Sequence, residues 1–316
     1  MKKHTLAVLV LALALIPGGA FLWGEETAGP EEGILRASLV PSLDLFDGTA
    51  VNIGVGADYG ITPWLSLSFD WLPGITAWSS YGGRTESLLF SDIDIFGRVQ
   101  ILGTGAILPM DGMRLAAALG IKYPLPARSR DRENAPHLWG AALRVFYDYY
   151  INDLYYLNAA LEAGYYPDQW RDSPNFRTSE GKPGRVSRPA AFTLEVDNRF
   201  TYPLRPGMIL RGSLPLVFDA ALRTTVGGEE MSGFGWALSV RPAAGIYLED
   251  LLPLPLELTL GYERPLAGNP RPKGHSLSIC GRVSIPLPFR RGVRPSSIPP
   301  ETAPETGPET VKEAVP

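Results

Sequence analysis

The sequence predicts an all-β fold: a transmembrane, antiparallel, up-and-down β-barrel of twelve strands, with ten or fourteen as the neighbouring even counts. Three observations carry this. Apolar residues alternate with small or charged ones in segments of about nine residues, the length a tilted strand needs to cross a bilayer. Charged residues keep to one face of every segment. The connections are tight at one end of the array and long at the other. The hairpin Val51–Trp71 shows the pattern best: Val51, Ile53, Val55, Ala57 and Tyr59 precede a short turn at 60–64, and Leu65, Leu67, Phe69 and Trp71 follow it.

Residues 1–24 read as an export signal. Lys2 and Lys3 precede an apolar run from Thr5 to Ile16 that is too short to span a membrane, and Gly18 and Ala20 are small residues at cleavage positions. No cysteine lies near them, which argues against a lipid anchor. Residues 25–33 form a short N-terminal segment, 34–289 the barrel and 290–316 a tail.

The ~290 residues after the signal suffice for one large β domain. A mean hydropathy of +0.01 and a formal charge of -4 hide the class, because alternation halves the apolar signal of a barrel strand. Neither the weak acidity nor any charge run points to nucleic acid. The single cysteine, Cys280, excludes an internal disulfide framework and a cysteine-rich metal site.

The two-residue period recurs from end to end. Apolar faces run through Leu35–Leu45, the two arms of the 51–71 hairpin, Ile93–Ile101, Met113–Tyr123, Trp139–Tyr149, Tyr155–Tyr165, Phe192–Tyr202, Leu210–Leu222, Trp236–Ile246, Leu256–Tyr262 and Leu277–Phe289. Asn198 is the one polar residue on such a face, and Arg264 reaches it only near a rim, where its long stem can snorkel. An Arg or Lys facing lipid at the midplane costs about 2 to 4 kcal/mol, a physical reason for keeping charge off that face.

With the first strand starting in the periplasm, the long connections at 73–90, 125–138, 168–190, 224–233 and 267–274 are external. The tight ones at 60–64, 151–153, 203–207 and 250–253 are periplasmic, with 102–112 somewhat longer. Tyr59, Trp64, Tyr149, Tyr155 and Tyr202 then form one aromatic girdle, and Trp71, Tyr123, Trp139, Tyr165 and Trp236 a second.

The phrases GADYGITPWLSLSFDWLP, YYINDLYYL and LTLGYERPLAGNP resemble bacterial outer-membrane transporter or porin-like barrels, including those of spirochaetes. The resemblance implies residence in the bacterial outer membrane and passage of solutes. It extends distantly to FadL-type fatty-acid transporters, which would imply apolar substrates. About ten residues between signal and first strand leave no room for the N-terminal hatch of that type.

The tail repeats Pro-Glu-Thr at 300–302, 304–306 and 308–310 and has no apolar period, as expected of a solvated extension. Its functional reading is a tether to a periplasmic partner, with Arg290, Arg291 and Arg294 near anionic headgroups. For an enzyme, the candidate base and acid pairs are His275 with Glu263 and His137 with Asp131, both at the external edge and without a neighbouring serine on the apolar face. The expectation is therefore no enzyme, no metal and no cofactor.

The polar face carries the candidate lumen residues: Arg36, Asp44, Asp58, Asp70, Asp92, Asp94, Arg98, Arg114, Lys122, Arg144, Asp148, Glu162, Glu195, Asp197, Arg199, Arg211, Asp219, Arg223, Arg241, Glu257, Glu263 and Arg282. Both signs are present in near balance. Bore grows with strand number, so twelve strands enclose a narrow passage. The function expected is a monomeric outer-membrane channel for small polar solutes. The alternatives are a surface barrel whose external loops bind a host or envelope partner and, third, an outer-membrane hydrolase.

Overall fold

A computed structural model describes residues 29–45, 48–81, 84–90, 93–123, 139–171, 178, 182, 184–232, 234–249, 252–269 and 274–287. The export signal, Asp92, His137 with Asp131, and the Pro-Glu-Thr tail lie outside the described residues. Every regular element among those described is a β-strand. In order they are β1 (Ile34–Asp44), β2 (Gly48–Thr62), β3 (Leu65–Tyr81), β4 (Arg84–Phe90), β5 (Ile93–Leu102), β6 (Met113–Tyr123), β7 (Gly140–Asn152), β8 (Tyr155–Arg171), β9 (Gly184–Arg205), β10 (Met208–Ala221), β11 (Thr224–Val226), β12 (Glu229–Ser232), β13 (Gly235–Val240), β14 (Ala243–Leu248), β15 (Leu256–Asn269) and β16 (Ser276–Pro286).

Sixteen strands make twelve staves. Both β4 and β5 pair with β3 and form one interrupted stave. β10 and β11 pair in succession with β9, while β12, β13 and β14 run back down beside them. The break between β13 and β14 falls at Arg241 and Pro242, where proline has no N–H to give the ladder. Every neighbour is antiparallel, and β16 closes the ring against β1 from Ile34↔Pro286 to Asp44↔Ser276.

Which face looks outward is settled by exposure. Leu119 (68%), Tyr165 (59%), Ile121 (55%) and Leu260 (52%) are exposed, whereas Ser42, Asn158, Asp148 and Asp197 are at most 2% accessible. A water-soluble barrel has the reverse arrangement. A continuous exposed apolar belt around a polar interior is the signature of a barrel solvated by lipid. Asn198 does lie on this belt, but its side-chain oxygen accepts a hydrogen bond from the Tyr155 hydroxyl of the neighbouring strand.

The connections expected to be external differ in form from the sequence expectation. Much of 73–90 and 168–190 is not loop: β3 with β4, and β8 with β9, continue their ladders past the apolar belt. Segment 224–233 is largely the hairpin β11–β12, turned at Gly227 (φ 59°) and Gly228 (φ 90°), the paired left-handed conformations of a type I′ turn. Alternation marks where lipid begins and ends. A ribbon standing in water needs no apolar face, so its strands carry no such mark.

Candidate functional site

The strand register puts opposite charges side by side on the inner face. Asp94 faces Lys122, Arg144 faces Glu162, Arg36 faces Asp58, and Glu257 faces Arg282. Directly opposed unlike charges stabilise a sheet, and like charges destabilise it. Asp70 and Asp94 do face each other, and cations bridge them: Arg144 lies 3.4 Å from Asp70 and 3.6 Å from Asp94, and Lys122 lies 3.0 Å from Asp94. Glu162 completes the cluster, 2.7 Å from Arg144 and 2.6 Å from Lys122.

Small residues make room for this cluster. Ala116 and Ala118 of β6, Ala142 of β7 and Ala160 of β8 pack with Phe96 and Phe146. Over the alanines, two diagonal contacts cross between β5 and β7. The Arg144 guanidinium sits 3.8 Å from the Phe96 ring centre, and that of Arg98 sits 4.9 Å from Phe146. A guanidinium out of bulk water gains about 2 kcal/mol or more from such a ring face.

A second network lies nearer the short turns. Arg199 pairs with Asp197 and donates to Asn158 at 3.1 Å, and Asn158 donates to Asp148 at 2.6 Å. Glu195 is 3.8 Å from Arg199. The other Asp197 oxygen accepts from the backbone N–H of Leu214 at 3.0 Å, beside Pro215. On the remaining staves, Glu257 takes Arg211 (3.1 Å) and Arg282 (3.7 Å), while Arg241 takes Glu263 (3.1 Å) and Asp219 (3.6 Å). Asp44 accepts from Asn52 and Ser276.

One sequence candidate stands elsewhere. Arg223 occupies the break between β10 and β11, is exposed, and pairs with exposed Glu230 at 3.0 Å on the β11–β12 hairpin. The suggested pairing of His275 with Glu263 also has a different geometry. Glu263 faces Arg241 inside, whereas His275 is exposed, with its ring 5.9 Å from that of Tyr262.

Sequence reasoning missed the inward aromatics. Phe96, Phe146, Tyr150, Tyr156 and Tyr247 occupy the polar register and receive the guanidinium groups of Arg144, Arg98, Arg114, Arg199 and Arg211 respectively. The signal was available in Asp94-Ile95-Phe96-Gly97-Arg98, where the ring falls between two charges of the same parity.

At the short-turn end a cavity of about 620 Å³ opens inside the barrel, lined by Arg36, Gln100, Arg114, Asp148, Tyr150, Tyr156 and Arg211 among others. Residues 29–32 also line it. They are fixed by Gly33 donating to the Gly60 carbonyl at 2.8 Å and by Leu287 donating to that of Gly33 at 2.9 Å. The Pro30 and Glu31 carbonyls lie so close to Gly60 that any Cβ there would collide with them. The N-terminal segment, expected to leave no room for a hatch, thus contributes residues 29–32 to the mouth.

No family model and no curated protein matches the sequence. Among solved structures, the chain is similar to an outer-membrane channel from Pseudomonas putida F1, with 14% identity over 83% of this chain and 98% of the other and a TM-score of 0.59. It also aligns with the NanC porin (9% identity, 79% and 100% covered, TM-score 0.44) and with a variant of the TodX monoaromatic hydrocarbon channel (10% identity, 81% and 90% covered, TM-score 0.40). The chain has the closed, twelve-stave fold of a bacterial outer-membrane β-barrel.

Proposed function

We propose that the protein is an outer-membrane channel that passes small polar solutes through a narrow, charged lumen. The observation that carries this reading is the inversion of the barrel: apolar residues are exposed on the outside, while residues of both charges crowd the inside. Even paired charges are costly to take fully out of water, so an interior this rich in charge suits a hydrated passage better than a dry plug. Balanced signs favour weak ion selectivity. Ring closure leaves no strand edge in need of a partner, which suits a monomer. Purified, heat-modifiable barrel in planar bilayers should give small, discrete conductance steps. Silent bilayers together with no solute uptake into liposomes would end this reading.

The external ribbon favours one other reading, a binding platform for a host or envelope partner. Val186, Val226 and Tyr166 form a small core where β11 joins β9, and Gln169 exchanges hydrogen bonds with the Trp139 backbone. Such a built ribbon suits a docking surface. Deleting residues 224–232 should leave conductance intact if the barrel is a channel and abolish ligand capture if the ribbon is the working part.

A further inference from the structure

The interior cations differ in one respect. Lys122, Arg144, Arg199, Arg211, Arg241 and Arg282 each have a carboxylate within 4.0 Å. Arg114 faces Asp148 in the register, yet its guanidinium lies over the Tyr150 ring at 5.1 Å, and Asp148 accepts from Asn158. Arg114 forms no ion pair with any described residue. It lines the 620 Å³ cavity together with Arg36 and Arg211.

We propose that this cavity binds small organic carboxylates, with Arg114 as the principal ligand and Arg36 and Arg211 beside it, and that Glu31 and Glu32 occupy it as a tethered competitor. A guanidinium offers a planar fork of donors that matches a carboxylate in two parallel hydrogen bonds. Tyr150 and Tyr156, stacked at 5.1 Å with 23° between their planes, add apolar ring edges to the same lining for the apolar part of the ligand. The volume equals that of roughly twenty waters at ~30 Å³ each, ample for an anion of about ten heavy atoms.

Glu31 and Glu32 line the same space and offset the positive charge of its wall. A carboxylate on a short tether acts at a millimolar effective concentration, so free ligand has to compete with it. Without the two glutamates, Asp148 is the one carboxylate among the residues lining the cavity, beside Arg36, Arg114 and Arg211.

The physiological role of this site rests on the channel reading, but its occupancy does not. Folded barrel in detergent is titrated calorimetrically with sodium benzoate, with benzyl alcohol as the uncharged control. The proposal expects weak benzoate binding to the native protein, at least tenfold tighter binding to the E31Q/E32Q variant, and loss of binding in Arg114→Gln. Arg114→Lys, which keeps the charge without the fork, should bind weakly, and heat-modifiability on gels reports that each variant is folded. Equal benzoate affinity in folded native and Arg114 variants, or equal binding of benzyl alcohol, overturns the site. Unchanged affinity in E31Q/E32Q overturns the competitor role. Benzoate binding by a barrel that carries no current would defeat the channel reading alone, and a conducting barrel that ignores benzoate would defeat this proposal alone.

Discussion

Two walls of the barrel face each other with different contents. The wall from β5 to β8 sends in Phe96, Arg98, Lys122, Arg144, Phe146 and Glu162, braced across three and four strands by ion pairs and ring contacts. The wall of β15, β16, β1 and β2 carries Thr259, Ser278, Cys280, Ser38, Val40, Ser42, Asn52 and Gly56 along its middle, with charges only toward its ends. Bulky and charged side chains therefore concentrate on one wall and small ones on the other. The seam where the ring closes is held mainly by its backbone ladder.

The largest test of this difference removes the centre of the braced wall. Arg144→Met removes the cation that touches Asp70, Asp94 and Glu162 together, and breaking a buried charge cluster in this way costs about 3–5 kcal/mol. Urea unfolding of the folded barrel should show a midpoint lowered to match, and an unchanged midpoint would mean that the cluster braces nothing. Phe96→Leu keeps most of the apolar volume but removes the ring beneath Arg144, so a loss of about 1–2 kcal/mol is expected in the same assay.

On the seam wall the effects should move from stability to transport. Thr259→Arg, facing Cys280 in the register, should lower conductance severalfold with little change in unfolding. A small water-soluble methanethiosulfonate should reach the Cys280 thiol from inside and reduce conductance in the same direction. Labelling by lipid-soluble reagents alone would reverse the assignment of inner and outer faces. The smallest change is Ser278→Ala. Its buried hydroxyl makes no hydrogen bond to any described residue, so stability should stay within about 0.5 kcal/mol of native.

The twelve staves, their inner and outer faces and the short-turn end were legible because lipid imposes a period of two on every strand it touches. Phe96 and Phe146 were not, because an aromatic residue between charges is read as a break in the pattern until Ala116 and Ala118 are seen to leave it space. Pairings of neighbours, such as Arg144 with Glu162, follow from register. Contacts that skip strands, such as Arg144 with Asp70, depend on the curvature of the ring and have no local signature. Residues 29–33 carry no period at all, and their place in the mouth rests on single backbone hydrogen bonds to Gly60 and from Leu287.

Closure also sets an order of events in time. The hydrogen bond from Ser276 to Asp44 joins positions 232 residues apart, while most ladders of the barrel connect neighbours in sequence. Hairpins can zip early, but this contact must wait for the end of the barrel sequence, and such distant pairing is slow to form. Until then β1 and β16 are open edges on which any extended segment could lodge. Assembly of this protein is therefore most exposed to error at its last step, when the final strand must find the first.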